Sequence, residues 1–311
     1  MGLIEVKNLR KYFTSGLFRK SCVKAVDGVS FEVEEGETFA LVGESGCGKS
    51  TVGRCILRLI EPTAGEVYFR GINISGSNGN LRGLRKKMQM IFQDADGTLN
   101  PRMRVFDLIT EPSRVHRLVN GREKAAELME MVNLTPDLLG RYPHELSGGQ
   151  RHRIGIARAM SLNPEFIVAD ELAASLDLSV QAQMLDLMKR LQAEFAIGYL
   201  FISHNLNVVK LMADRVAVMY LGKFVEVGDT RRIFSASAHP YTQALLSTVL
   251  NPNPSARRKR IVLEGEIPSP LNPPSGCRFH PRCPEAKAIC SEIEADLREI
   301  EDRHLVSCHF A

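Results

Sequence analysis

The sequence lacks any apolar run approaching the roughly 20 residues that a membrane-spanning helix requires, and no internal repeat is visible, which sets aside solenoids and propellers. Charge of one sign is also missing, since 40 Lys and Arg stand against 36 Asp and Glu in 311 residues. So even a balance argues against nucleic acid or an anionic membrane surface as a partner. The run Arg257-Arg258-Lys259-Arg260 is a local exception; it follows NPNPSA and reads as a solvated linker. The opening MGLIEVKNLRKYF alternates as a strand does and contains no apolar centre of a secretion signal. The expectation is a chain that works in the cytosol or is held at a membrane only by partners. In that reducing compartment disulfides are not expected. None of the seven cysteines forms a C-x2-C pair, the spacing that ordinary zinc modules favour.

What is present reads as alternating α/β. IEVKNL (4–9), VSFEVEEGET (29–38, with a turn at Glu35-Gly36) and VYFR (67–70) have strand character. TFALVG (38–43), EFIVADE (165–171) and YLFISH (199–204) are short apolar runs of the kind buried on both faces of a parallel sheet. Between the last two, Val180, Met184, Leu187, Met188, Leu191 and Phe195 form one helical stripe. Strand, helix, strand in that order predicts a parallel sheet with crossover helices. From about residue 94 or 100 to 164 helical periods with charged faces dominate. Prolines crowd in after 250 (NPNPS, then IPSPLNPPSG), so a core spanning 1–250 is expected to be followed by an extension, 251–311.

GESGCGKST (43–51) satisfies G-x-x-x-x-G-K-[ST], set between an apolar strand and the helical STVGRCILRLI. Gly43, Gly46 and Gly48 let the backbone curl its N–H groups, including those around Ser45 and Thr51, toward phosphate oxygens. Lys49 is expected to reach the β- and γ-phosphates, and Ser50 to ligate Mg²⁺. Cys47 reads as a small residue compatible with the loop. At the end of FIVADE, Asp170 is placed to hold Mg²⁺, and Glu171 to polarise the attacking water.

ELSGGQRHRIGIARA (145–159) adds a second anion-friendly helix start, with Ser147 as N-cap and Gly148-Gly149 leaving the turn open. Together with the motifs above it resembles the nucleotide-binding subunits of ATP-binding-cassette (ABC) transporters. The resemblance implies a P-loop NTPase (RecA-like) core with an antiparallel β subdomain, a helical signature subdomain at about 94–164, and ATP with Mg²⁺ as cofactors. It implies that Ser147, Gly148, Gly149 and Gln150 face the γ-phosphate bound by a second subunit, so that two ATPs are sandwiched between two chains. It further implies that Tyr12 stacks on adenine, Gln93 touches Mg²⁺ and the attacking water, Asp177 crosses the dimer interface, and His204 contacts the γ-phosphate. Leu172, Ala173-Ala174, Ala95 and Asn205 depart from the residues common in the family at those places, which puts loop rigidity and turnover in question.

HPYTQALLSTV (239–249) and GEIPSPLNPPSGCRFHPRC (265–283) look like the C-terminal extension of the oligopeptide/dipeptide importer branch. That likeness, with a signature LSGGQRHRIGIARA that resembles one of the two ATPase types of these importers, the one whose usual partner carries an SGGM variant, implies a heterodimer with a paralogous ATPase, or failing that a homodimer, beneath two membrane permeases fed by an extracytoplasmic solute-binding protein. The place of work would be the cytoplasmic face of the membrane, with peptides imported; nickel chelates or oligosaccharides are the alternatives. A soluble ABC ATPase, or a redox-responsive regulator, is the competing class. The spacing Cys277-x5-Cys283-x6-Cys290-x17-Cys308 remains. Members of the branch with this tail resemble one another in carrying a [4Fe–4S] cluster on four such cysteines; Zn²⁺, with His280 or His309 substituting, and unliganded thiols stay open. A metal centre would staple a proline-rich tail too short to bury much core.

Overall fold

The computed structural model describes residues 2–15, 21–76, 81–92, 95–118, 121–172, 177–248 and 261–311. In chain order the first elements are β1 (Ile4–Ser15), β2 (Ser21–Val33), β3 (Thr38–Val42), α1 (Lys49–Ile56), β4 (Ala64–Phe69) and β5 (Ile72–Asn73). Then come α2 (Leu81–Lys87), β6 (Met88–Ile91), α3 (Ala95–Thr98), α4 (Val105–Val115), α5 (Arg122–Met131) and α6 (Gly148–Met160). Next are β7 (Phe166–Asp170), α7 (Leu178–Phe195), β8 (Gly198–Ile202), α8 (Leu206–Met212), β9 (Arg215–Tyr220) and β10 (Lys223–Asp229). The last are α9 (Thr230–Ala236), α10 (Pro240–Ser247), α11 (Ala288–Glu292), β11 (Arg298–Glu301) and β12 (His304–Val306). Among the described residues no helix is long and apolar enough to cross a membrane.

Contacts divide the chain into two compact units. The first holds residues 1–33, 38–76 and 202–311. In it, β1 lies antiparallel between β2 and β4, and β5 closes the order β2-β1-β4-β5. β3 pairs in parallel with β9, Leu41 opposite Ala217. All five β3 residues are buried, as an unbroken apolar run in a parallel pair should be. β10 then runs antiparallel to β9 and to β12, and β11 pairs with β12. The composition change at 250 is therefore not a break in packing, because 261–311 cluster with this unit. Phe279 and Val306 from that stretch are fully buried. Phe279 packs edge-on against Tyr220 and at a tilt against Tyr241, ring centroids 5.3 and 5.2 Å apart.

The second unit holds residues 34–37 and 77–201. β6 and β7 pair in parallel, Met90 opposite Val168, and α3 to α6 occupy 95–160. In α7 the buried face is Gln181, Met184, Leu185, Leu187, Met188 and Leu191. The predicted stripe was right at its centre and wrong at its ends. Val180 is only half-buried, and Phe195, the last helical residue, is 36% exposed. The helix stops at Ala196 in a left-handed turn, which leaves Phe195 in its last, exposed turn.

Candidate nucleotide site and cysteine-lined cavity

The first unit supplies the phosphate cradle. β3 ends at Val42 and α1 starts at Lys49, with Gly48 as its N-cap in the left-handed region and no side chain capping the helix. Such a helix start leaves its first N–H groups without intrahelical partners. A Cβ on Gly48 would lie 2.1 Å from the Ala25 carbonyl oxygen, and one on Gly43 would lie 2.1 Å from that of Met219. Both glycines are therefore demanded by contact as well as by their φ of 111° and 150°. Lys49 is 5% exposed, and its ammonium donates to the carbonyls of Gly43 (2.8 Å) and Glu44 (3.0 Å). The lysine is thus folded into the loop, on partners that phosphate oxygens can replace. Cys47 is buried with its Sγ 3.7 Å from that ammonium. Burial pushes its thiol above the usual range, which disfavours the reactive thiolate.

Tyr12 and His204 belong to the same unit. Tyr12 is half-buried on β1; its hydroxyl donates to Asp27, and Lys24 stands 5.8 Å from its ring. Burial and then this hydrogen bond push the phenol up. On Asp27 burial pulls upward, but the Tyr12 hydrogen bond and the Arg278 charge win and leave the carboxyl below its usual range. β8 ends at Ile202, so His204 lies two residues beyond the strand it was expected to end, and it is exposed. Ser203 N–H donates to Leu41 O (3.2 Å), which ties this segment to β3 just before the cradle. The departure at Asn205 has a local reason: its side chain caps α8 by accepting from Asn207 N–H (3.1 Å), as an aspartate there would.

In the second unit β7 is buried throughout and delivers Asp170, 3% exposed, at its end. Glu171 follows with φ 47°. That left-handed conformation costs a non-glycine residue roughly 1–2 kcal/mol and is the kind of strain that collects at functional positions. Leu172 is fully buried. α6 begins with a capping box: Ser147 Oγ accepts from Gln150 N–H (3.3 Å), and Gln150 Oε1 accepts from Ser147 N–H (2.9 Å). Gln150 therefore has a local job that its place in the motif did not reveal. A Cβ on Gly149 would come within 2.9 Å of Val180 Cγ1, so this glycine lets α6 approach α7. Gly148 lies beside it with more room, and Ser147 is exposed. Asp177 caps α7, accepting from Val180 N–H (2.9 Å) and Ser179 Oγ (2.7 Å). Those bonds hold its carboxyl below the ordinary range. Gln93, Ala173 and Ala174 and the run 257–260 lie outside the described residues; Ala95 opens α3, where proline is also tolerated.

Cys277, Cys283, Cys290 and Cys308 line one cavity in the first unit, with Phe279, Phe310, His280 and His309 among its walls. Cys277 N–H donates to Cys290 O (2.8 Å). His280 Nδ1 and His309 Nε2 each sit 2.9 Å from a backbone carbonyl, Cys277 O and Ile293 O, so each donates from that nitrogen. Burial raises the Cys277 thiol, and pushes that of Cys283 up to about 11. Among the described residues no three or more His, Cys, Asp or Glu are grouped closely enough to grip a metal ion. The four thiols share a cavity without forming a closed single-ion site.

Sequence reasoning missed several residues around the cradle. Arg282 embraces the Glu44 carboxylate with both terminal nitrogens (2.8 and 3.1 Å). Arg278 pairs with Asp27 and also donates to Leu221 O. Tyr241 hydroxyl accepts from Glu44 N–H (3.0 Å). His239 caps α10 through Nδ1, which accepts from Tyr241 N–H (3.0 Å). Buried Glu226 accepts from His239 N–H and from His304. The signal in HPYTQALL was proline at a helix start with a capping residue before it; the partner of Tyr241 lies 197 residues away.

The ABC transporter family matches residues 26–174, and the C-terminal region of oligopeptide/dipeptide transporters matches 225–290. The oligopeptide transport ATP-binding protein AppF of Bacillus subtilis (strain 168) is 52% identical over 318 residues, covering 99% of this chain and 97% of its own. The dipeptide transport ATP-binding protein DppF of Haemophilus influenzae is 48% identical over 313 residues, 98% of this chain and 96% of that one. Among solved structures, the dimeric post-hydrolysis state of the ATP-binding cassette MJ0796, bound to ADP and Pi, aligns with a TM-score of 0.66 at 28% identity. It covers 73% of this chain and 99% of that chain. The chain belongs to the ATP-binding proteins of the oligopeptide/dipeptide branch of the ABC transporters.

Proposed function

We propose that the chain is the ATP-hydrolysing motor of a peptide importer, working at the cytoplasmic face of the membrane beneath two permeases supplied by a solute-binding protein. The observation that carries this reading is similarity over nearly the whole chain to oligopeptide and dipeptide transport ATP-binding proteins, the C-terminal region included. Lys49, with the N–H groups of residues 45–51, binds the phosphates of ATP. Ser50, Asp170 and Gln93 hold Mg²⁺; Glu171 orients the attacking water and His204 the γ-phosphate. Tyr12 carries the adenine. Ser147 to Gln150 and Asp177 complete the site of a second ATPase, a paralogue or another copy.

ATP can shift such a pair from open to closed only by the contacts it gains on closure. A swing from mostly open to mostly closed needs roughly 5.5 kcal/mol of differential binding. Two charge-assisted phosphate contacts in a closed interface are of that order. Hydrolysis removes them and reopens the pair. A Glu171→Gln chain with its partner ATPase is expected to accumulate a dimer that forms only with MgATP, measured by mass in solution. A pair that stays apart at saturating MgATP contradicts the motor. In the assembled transporter, ATP hydrolysis is expected to rise when the binding protein is loaded with short peptides; indifference to peptides of every length removes the peptide assignment.

The four cysteines are the residues that would hold a [4Fe–4S] cluster. Their convergence on one apolar-walled cavity supports this. When bound, such a cluster supplies cross-linking of the tail and a redox-active centre. Iron and acid-labile sulfide in anaerobically isolated protein are the expected finding; zinc alone, or neither, overturns it.

A further inference from the structure

Glu44, the second residue of the cradle, is held at all three of its polar groups. Its N–H goes to the Tyr241 hydroxyl, its carbonyl accepts from Lys49, and its carboxylate is gripped by Arg282. Two of these three holders lie in the C-terminal region, one of them directly before Cys283. The second arginine of the same short segment, Arg278, follows Cys277 directly and holds Asp27, the acceptor of the Tyr12 hydroxyl. These are not ordinary surface pairs. The Arg282 and Arg278 side chains are 7% and 9% exposed, and those of Glu44 and Asp27 25% and 12%.

We propose that the segment Cys277–Cys283 is a positioning part of the nucleotide site, Arg282 acting through Glu44 on the phosphate cradle and Arg278 through Asp27 on Tyr12. The proposal rests on the reading of 43–51 as a nucleotide cradle. Its physical core is charge. A carboxylate one residue from Gly43 sits beside the place where the polyphosphate must lie, and an unpaired one repels it. Arg282 cancels that charge and fixes the loop that carries Lys49. By linkage, whatever orders the cysteine-lined lobe tightens nucleotide binding, and nucleotide in turn protects the lobe by the same factor.

The test is titration of the full-length chain with a fluorescent N-methylanthraniloyl ATP and Mg²⁺, with hydrogen exchange followed at 277–283. Arg282→Gln is expected to weaken binding about tenfold, the loss of one charge-assisted anchor. Removing the opposing charge as well, in Arg282→Gln with Glu44→Gln, is expected to restore affinity to within about threefold of the parent. The thermal midpoint of each variant is read beside its affinity, because a merely structural role for the pair would move stability and leave affinity in the folded chain unchanged. Arg278→Gln is expected to weaken binding less, and Arg282→Lys to fall between parent and Arg282→Gln. In the parent, nucleotide is expected to slow exchange at 277–283. An Arg282→Gln chain that folds, exchanges faster at 277–283 and still binds within about twofold of the parent overturns the proposal. So does a double variant no better than the single, or exchange at 277–283 that nucleotide leaves unchanged. Lys49→Ala separates this failure from the underlying reading. If it binds as the parent does, the cradle assignment is wrong; if it loses binding while Arg282→Gln does not, only the positioning role is wrong.

Discussion

The cradle in the first unit and the helix start at Ser147 in the second are both proposed to meet an anion, yet they are prepared very differently. Lys49 is 5% exposed, and its loop is pinned from several sides. Ser147 is exposed, and its capping box is satisfied entirely within its own first turn. A site that binds nucleotide in a single chain needs the first kind of preparation. A surface that acts only on arrival at a partner needs the second: local rigidity, outward exposure and no dependence on distant residues. The difference is what the proposed division of work between two chains requires.

Breaking the cradle is expected to have the largest effect. Gly48→Ala places a methyl 2.1 Å from the Ala25 carbonyl oxygen in a left-handed backbone, and the loop cannot yield without moving β2. Titration with the fluorescent nucleotide is expected to show no measurable binding; affinity near that of the parent removes the claim that contact fixes the loop.

The next effect concerns the anchors behind the cradle and depends on pH. Burial lowers His239 from 6.5 to about 4, and its neutral Nδ1 accepts the Tyr241 N–H. Between those values the unfolded chain holds a proton that the folded chain refuses. Stability is therefore complete above pH 6.5 and falls as pH drops toward 4, by at most about 3 kcal/mol from this group. Denaturant unfolding at pH 7 and pH 5 is expected to show the loss, and His239→Asn to flatten it. An unchanged slope in that variant removes His239 as its source.

On the signature side the effects are smaller because the caps are local. Asp177→Ala removes an exposed cap from α7. It is expected to lower the thermal midpoint by only a degree or two, while nucleotide binding by the single chain stays at the parent level. A large fall in single-chain nucleotide binding would contradict the local role of this cap.

The sequence made the local parts of this site legible and hid the distant ones. The P-loop reads directly because strand, glycines, lysine and helix start are consecutive, and the physics that shapes them is local. The Ser147 cap reads for the same reason. Nothing in the sequence says that Glu44 will find Arg282, 238 residues on, since any solvated arginine has the same signature until the fold brings the two together. β11 and β12 escaped because REIE is mostly exposed and lacks an apolar face, and only His304 and Val306 of β12 are buried. The ends of the α7 stripe failed because periodicity shows which side is apolar but not where burial along the helix ends.

The division between the two halves is tested most directly by one pair of variants under two readouts. Lys49→Ala and Ser147→Ala are compared for nucleotide binding by the single chain and, in the Glu171→Gln background with the partner ATPase, for MgATP-driven association. Lys49→Ala is expected to lose both. Ser147→Ala, at a cost of about 1 kcal/mol to α6, is expected to bind nucleotide within about twofold of the parent and yet fail to associate. A Ser147→Ala chain that associates normally, or that loses single-chain binding as fully as Lys49→Ala does, contradicts the account.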